Sequence, residues 1–443
     1  MIGQTVAPAG GRAWNICGRK AEARHRMGGN RTKDVRILRD LVKQYLDLAR
    51  QPIQEERREL WSDLLSLRRT RPLVLATYGM WNVWCREVFG EKTLRCEDPL
   101  FRAHERNLRM AIFHDPIGDD FILEPWISEE AVKAGAWGRL LGVEQRLTDK
   151  PAEGGAGAYM PVIKDWSGMA GLKPVGHRID EEATARNVAR LREAAGDLVE
   201  IDVNRGPAWF AFMADVSWNL AMLRGLEQMM IDMYESPKQL HALAALVRDA
   251  TLAAQDAAEA AGDYGLTSHA IQEMPYSRDL ERPRPNARPR RRRDLWCFAA
   301  AQEFTLVSPK MHDEFLLRYQ MPIVSRFGLT AYGCCEDLTL KIAMLRQIPN
   351  LRLIAVAPRA DVRRSAQEIG ADYVISWRPN PADMVCCGFD EARIRRIIRE
   401  GMQACKGLHV CIHLKDIETV EGDPSRLARW VRIVRSISDE FAP

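Results

Sequence analysis

The stretch LTAYGCCEDL, residues 329–338, sets two adjacent thiols and two carboxylates directly behind a short apolar run of strand length. Thiolates and carboxylates bind soft divalent ions, and a thiolate is also a nucleophile, so chemistry is sought here first. Other polar groups follow apolar runs in the same way: Glu124 and Trp126, Lys164 and Asp165, Asn204 and Arg205, Glu273, Trp377 and Arg378, and His413, Lys415 and Asp416. A catalytic zinc takes about three protein ligands and leaves one position for substrate. Cys334, Glu336 or Glu273, and His413 are a set that different strand ends could supply. No CxxC or HExxH spacing marks a local site. The alternative is that Cys334 and Cys335 pack as small apolar residues and His413 bonds a neighbouring carbonyl.

These groups need a scaffold, and the apolar pattern supplies one. The sequence predicts helices from Val35 and over QEERRELWSDLLSL, then strands at 71–81, 119–126, 160–166, 198–206 and 265–276. The last third alternates most clearly. GLTAYG, LRLIAVAP, DYVISW and HVCIHL read as strands, and helices opened by Asp361, Asp390 and Asp423-Pro424 lie between and after them. Acid caps and a first-turn proline are strong start signals. Strands alternating with amphipathic helices imply parallel pairing through right-handed crossovers. The expected fold class is therefore α/β, a (βα)8 TIM barrel with an N-terminal helical extension. Residues 1–33 are expected to be a disordered basic tail, 34–70 the N-terminal helices and 71–443 the barrel. In such barrels the chemistry sits on loops after the C-terminal strand ends.

Composition narrows the function classes. The 443 residues are 46% apolar and 28% charged, and the net charge of +4 is too small for a dedicated nucleic-acid binder. No apolar run is long enough for a membrane span, and the N-terminus lacks a secretory apolar segment. Ten cysteines, including the adjacent pairs Cys334–Cys335 and Cys386–Cys387, are poor material for a disulfide framework, which points to free thiols in the cytoplasm. Trp126, Trp166, Trp209, Trp218 and Trp377 are candidates to line an aromatic pocket or to fill the barrel seams. The run RPRPNARPRRRRDLW carries seven arginines and no interleaved aromatics; it reads as a solvated loop that could rim the barrel mouth and meet an acidic partner.

Three segments, AYGCCEDL, DYVISWRPNPADMV and HLKDIETVEGDP, give the chain a resemblance to the uroporphyrinogen decarboxylase superfamily, which also holds zinc- and corrinoid-dependent methyltransferases. The resemblance runs from about residue 35 to the C-terminus and is strongest after Asp294. It implies a barrel with a deep cleft at its C-terminal face. It also implies zinc held by a His-x-Cys at one late strand end and a cysteine after the last strand. Cys334 matches the first thiol, Tyr332 stands where the histidine would be, and His413 lies close to the last cysteine's place. Cys335, Glu336 or Glu273 would complete the set. The decarboxylases themselves carry an arginine-rich grip after the first strand, and ATYGMWNVW has no arginine there.

The leading expectation is thus a zinc-dependent methyltransferase that moves a methyl group from a small O- or N-methyl donor to a corrinoid on a partner protein. In that scheme the metal is Zn²⁺, with Tyr332 or Lys415 as proton donor and Trp126 and Trp377 against the substrate. The alternative is a metal-independent decarboxylase in which Lys164, Arg205 or Arg378 binds a carboxylate and Asp165 handles protons. A third reading is a barrel that binds a corrinoid or tetrapyrrole without turnover. Expected partners are the methyl donor, a corrinoid protein and a second copy of the chain, with no nucleic acid and no membrane.

Overall fold

The computed structural model describes residues 23–77, 84–133, 140–143, 146–147, 159–207, 214 and 216–441. Two helices lead in, α1 (Ala23–Ala49) and α2 (Pro52–Leu64), followed by β1 (Leu73–Ala76), α3 (Pro99–His114) and β2 (Trp126–Glu130). The middle of the chain supplies α4 (Glu181–Ala195), β3 (Glu200–Asn204) and α5 (Pro237–Ala260). Then come β4 (Trp296–Ala299), β5 (Leu329–Tyr332), β6 (Leu351–Val356), α6 (Val362–Ile369), β7 (Val374–Trp377), α7 (Glu391–Ala404), β8 (Val410–Leu414) and α8 (Ser425–Ser438). α1 begins well before the expected boundary at residue 34, so residues 23–33 are helical; residues 1–22 of the expected tail lie outside the described ones.

Six strands form one sheet in the order β1-β8-β7-β6-β5-β4, every pairing parallel, and β2 pairs β3 in parallel beside it. A further two-stranded antiparallel pair, Arg146–Leu147 with Tyr159–Met160, stands apart. The α/β class and the run of parallel strands are as expected. Strand ladders do not close the ring among the described residues. At the β1 side, Asp120 N donates to Val74 O at 2.8 Å, and the carboxylates of Asp120 and Asp119 accept from Val74 N and Ala76 N. Side chains therefore do what a second strand would do, and residues 119–124 stay irregular where a strand was expected. At the other side, Ala270 N donates to Trp296 O at 3.1 Å, while Asn286 Oδ1 accepts from Val203 N at the β3 edge. Residues 265–276 carry no strand, nor do 161–165, where Asp165 caps a short 3-10 helix instead. The strand β4, in contrast, was not anticipated.

Helices α3, α4, α6 and α7 each start at an aspartate whose carboxylate accepts backbone N–H groups of the first turn, namely Asp98, Asp180, Asp361 and Asp390. Such a cap contributes about 1 kcal/mol. The α7 face that meets the sheet carries Gly401, because a Cβ there would lie 2.1 Å from the Trp377 ring.

The arginine run does not rim the mouth. Asn286 bonds Glu200, the first residue of β3, and Arg292 directly precedes β4, so the loop runs at the N-terminal strand ends. Most of its charges are paired within the chain. Arg282 pairs with Glu55 and Glu59 of α2, Arg284 and Arg290 with Glu281, and Arg292 with Asp256 and Glu259 of α5. Among the described residues, no helix is long and apolar enough to cross a membrane.

Candidate functional site

At the end of β5 the chain turns at Gly333, with φ +104°, where a Cβ would come within 2.7 Å of Leu338. The turn aims Cys334 at the C-terminal ends of the sheet. Glu336 fixes the loop from behind: its two carboxylate oxygens accept from Ala301 N at 2.6 Å and Cys334 N at 2.8 Å. The Cys334 sulfur is buried and meets Lys415 Nζ at 3.1 Å, Gln272 Nε2 at 3.3 Å and Cys335 Sγ at 3.5 Å. Lys415 follows β8 and also reaches Gln272 Oε1 at 3.4 Å and Asp416 Oδ2 at 3.1 Å. Cys335 is exposed, and its single thiol proton is shared between Asp416 Oδ2 at 3.3 Å and the Cys334 sulfur at 3.5 Å. Asp416 holds its carboxylate there from a left-handed backbone, φ 56°, a conformation that costs a non-glycine residue about 1 kcal/mol or more.

Deeper in the sheet lies a second layer. Glu273 Oε1 accepts from Ser376 Oγ at 2.6 Å, Arg378 Nη2 at 3.2 Å and His413 Nδ1 at 3.1 Å. His413 Nε2 meets Thr77 Oγ1 at 2.6 Å, which ties β8 to the end of β1. Arg378 is fully buried and donates to the carbonyls of Cys334, at 2.6 Å, and Gly333. Through this guanidinium the lower layer reaches the backbone of Cys334.

The charges settle as a set. The S–H of Cys335 bonding to the neighbouring sulfur, with Lys415 and Arg378 behind it, holds the Cys334 thiol well below its ordinary range against the cost of burial. The same shared proton, together with burial, keeps Cys335 a thiol. Burial and Arg378 would both lower Lys415, but the Cys334 thiolate and Asp416 outweigh them and keep it an ammonium. Burial alone would push the Glu273 carboxyl up. The hydrogen bond from His413 and the charge of Arg378 bring it instead down to about 2. Burial lowers His413, so we take it as the neutral ring, donating through Nδ1 to Glu273 and accepting from Thr77 through Nε2.

This donor set does not fit zinc. Glu336 has both oxygens on backbone N–H groups, His413 has both ring nitrogens engaged, and Glu273, whose Oε1 already accepts three bonds, offers only its buried, unbonded Oε2. The ammonium of Lys415 stands against the one sulfur expected to bind the ion, and Arg378 adds a second buried cation. Among the described residues, no group of three or more His, Cys, Asp or Glu side chains is arranged to hold a metal.

Of the expected site residues, the structure brings together Cys334, Glu336, Glu273, His413, Arg378 and Lys415. It places the others elsewhere. The Tyr332 hydroxyl donates to Gln320 Oε1 at 2.7 Å and meets His312 Nε2 at 2.9 Å, on the helical side of β5. Asp165 is exposed and bonds Ser167. Lys164 is exposed, Arg205 pairs with Glu181 and Asp263, and Trp377 packs on α7. Trp126 opens β2 and so lies at the strand end away from the site. Trp209 lies outside the described residues. Gln272 and Ser376 were not anticipated; Gln272 directly precedes Glu273 in IQEMPY, the only hint of it in sequence.

No family model matches the chain, and no curated protein matches it in sequence. Among solved structures, a methyltransferase from Methanosarcina mazei is similar at 12% identity and a TM-score of 0.47, covering 87% of this chain and 99% of that one. A likeness at this level carries no argument about activity.

Proposed function

We propose that this chain is a methyltransferase in which Lys415, held as an ammonium by Cys334, is the general acid. It would act when a small O- or N-methyl donor gives its methyl group to a corrinoid carried by a partner protein. The reaction class rests on the resemblance of residues 331–338, 372–385 and 413–424 to the superfamily that contains such enzymes. The residue role rests on one observation, the 3.1 Å contact between Lys415 Nζ and the Cys334 sulfur.

An ether oxygen or amine nitrogen is a poor leaving group unless something takes up its developing charge. The donor oxygen leaves with the electron pair of the broken bond and takes a proton from Lys415, while the new bond to methyl uses a pair from the acceptor. A phenolate, which takes up a proton below pH ~10, is one leaving group whose developing charge such an ammonium would offset. Cys334 supplies the counter-charge that keeps the proton on Lys415. Gln272, which accepts from Lys415 and donates to Cys334, fixes the two relative to each other. Zinc has no part in this scheme.

The test is methyl transfer from methoxylated aromatics and methylamines to free, chemically reduced cobalamin, followed by its absorbance, with and without a chelator. Transfer unaffected by the chelator is expected. Lys415→Met should slow it by roughly 10²–10⁴-fold for phenyl methyl ethers, and far less for donors whose leaving group is already acidic. No transfer across the panel, combined with CO₂ release from carboxylated substrates, would move the assignment to the metal-independent decarboxylase.

A further inference from the structure

The two sulfurs at positions 334 and 335 differ in a way that methyl transfer does not require. Cys334 Sγ lies 3.5 Å from Cys335 Sγ, with the Lys415 ammonium 3.1 Å from the first and 3.9 Å from the second. Cys335 is exposed and Cys334 only 5% so, and the pair is approached from the Cys335 side. An ionised sulfur beside an intact thiol, stabilised by a cation, is the arrangement that reacts with disulfides, because the thiolate is the attacking species. The other adjacent pair lacks it. Cys387 is exposed and Cys386 buried, yet no described contact joins a lysine or arginine to either sulfur, and burial raises the Cys386 thiol.

We infer that Cys334 and Cys335 form a modification site for small disulfides of the glutathione kind, which convert the pair into an internal Cys334–Cys335 disulfide. The Cys334 sulfur attacks one sulfur of the incoming disulfide, forms a mixed disulfide and expels a thiolate. Cys335 gives up its proton to that leaving thiolate, and its sulfur displaces the second small thiolate from Cys334. The protein dithiol is oxidised by two electrons and the small disulfide is reduced to two small thiols, one released protonated and one as thiolate. Adjacent residues close a tight ring, and a strained disulfide is easily reduced, so the modification is reversible. Its consequence for Lys415, which loses the Cys334 charge and keeps that of Asp416, rests on the function proposed above; the sulfur chemistry does not.

The full chain is equilibrated in glutathione buffers of rising oxidised fraction, quenched with an alkylating reagent, digested and weighed. The peptide holding residues 334 and 335 should lose both labels together and weigh two hydrogens less, recovering in excess reduced glutathione. The peptide holding residues 386 and 387 should keep its labels. Cys335→Ser should stop at a single glutathione on Cys334, and Lys415→Met should slow the reaction about tenfold or more. Separate glutathione adducts on both cysteines, or full labelling of residues 334 and 335 where Cys387 is already modified, would overturn the proposal. The wild-type measurement decides this even if a variant fails to fold.

Discussion

Two Cys-Cys pairs follow two strands of the same parallel sheet, Cys334–Cys335 after β5 and Cys386–Cys387 after β7, and they have little else in common. In both, the first thiol is buried and the second exposed. Burial raises the Cys386 thiol, as it does any group whose charged form loses water. At Cys334 the same cost is overcome, because a neighbouring S–H, an ammonium and a guanidinium all favour the charged sulfur. The dipeptide is thus neutral material. What makes it reactive is the contact between its two sulfurs together with Lys415 and Arg378, which reach it from the ends of β8 and β7.

The comparison breaks most visibly in stability. Glu273 and Arg378 are both 1% exposed, and removing one partner of a buried ion pair costs about 3–5 kcal/mol because the other is left uncompensated. Glu273→Gln is expected to show a loss of that size in chemical denaturation. Cys386→Ala, which deletes only one small buried group, should cost about 1 kcal/mol.

Acid should then act on the first region and spare the second. The Glu273 carboxyl sits near 2 in the folded chain, below its unfolded value of about 4.3. The unfolded chain therefore binds the proton more readily, and the stability Glu273 contributes is complete above about pH 4.3 and lost as pH falls towards 2. This part of the acid sensitivity is on the order of 3 kcal/mol. It should vanish in Glu273→Gln and persist unchanged in Cys386→Ala, read as denaturation midpoints across that window.

A smaller effect separates the two sides of β7. Gly401→Ala drives a methyl into the Trp377 ring and should cost about 1–3 kcal/mol without changing the Cys334 titration, since Trp377 faces the helix and Arg378 the site. A change in thiol reactivity in that variant would mean that the two faces of the strand are not independent.

Much of the C-terminal half was legible because its strands and caps are local signals: β5 to β8 and the aspartates at 361 and 390 lie where the pattern puts them. The first half was read less well for a physical reason. Asp119, Asp120 and Asn286 replace ladder hydrogen bonds with side-chain ones, and no periodicity announces that. The arginine run misled because the acids that neutralise it on α2 are more than 200 residues away in the chain. Tyr332 misled for another reason. Alternation would set residues 332 and 334 on one face, but Gly333 turns the backbone through φ +104° and sends the tyrosine to the helices and the cysteine to the site. Cys334 and His413, expected to share one ion, are connected through Glu273 and Arg378, the latter bonding the Cys334 carbonyl. That a lysine would stand where a metal was expected could not be seen from spacing, since Lys415 simply follows His413 by two residues.

The central claim is that Cys334 is ionised at neutral pH because the Cys335 thiol and then the Lys415 ammonium face it. It is tested most directly by following the ultraviolet absorbance of thiolate in the folded protein as pH is lowered, with Cys334→Ser as the blank. The expected difference is one thiolate that persists well below the ordinary thiol range and moves back towards it in Lys415→Met. A wild-type protein whose titration coincides with that of Cys334→Ser below pH ~8 would contradict the account.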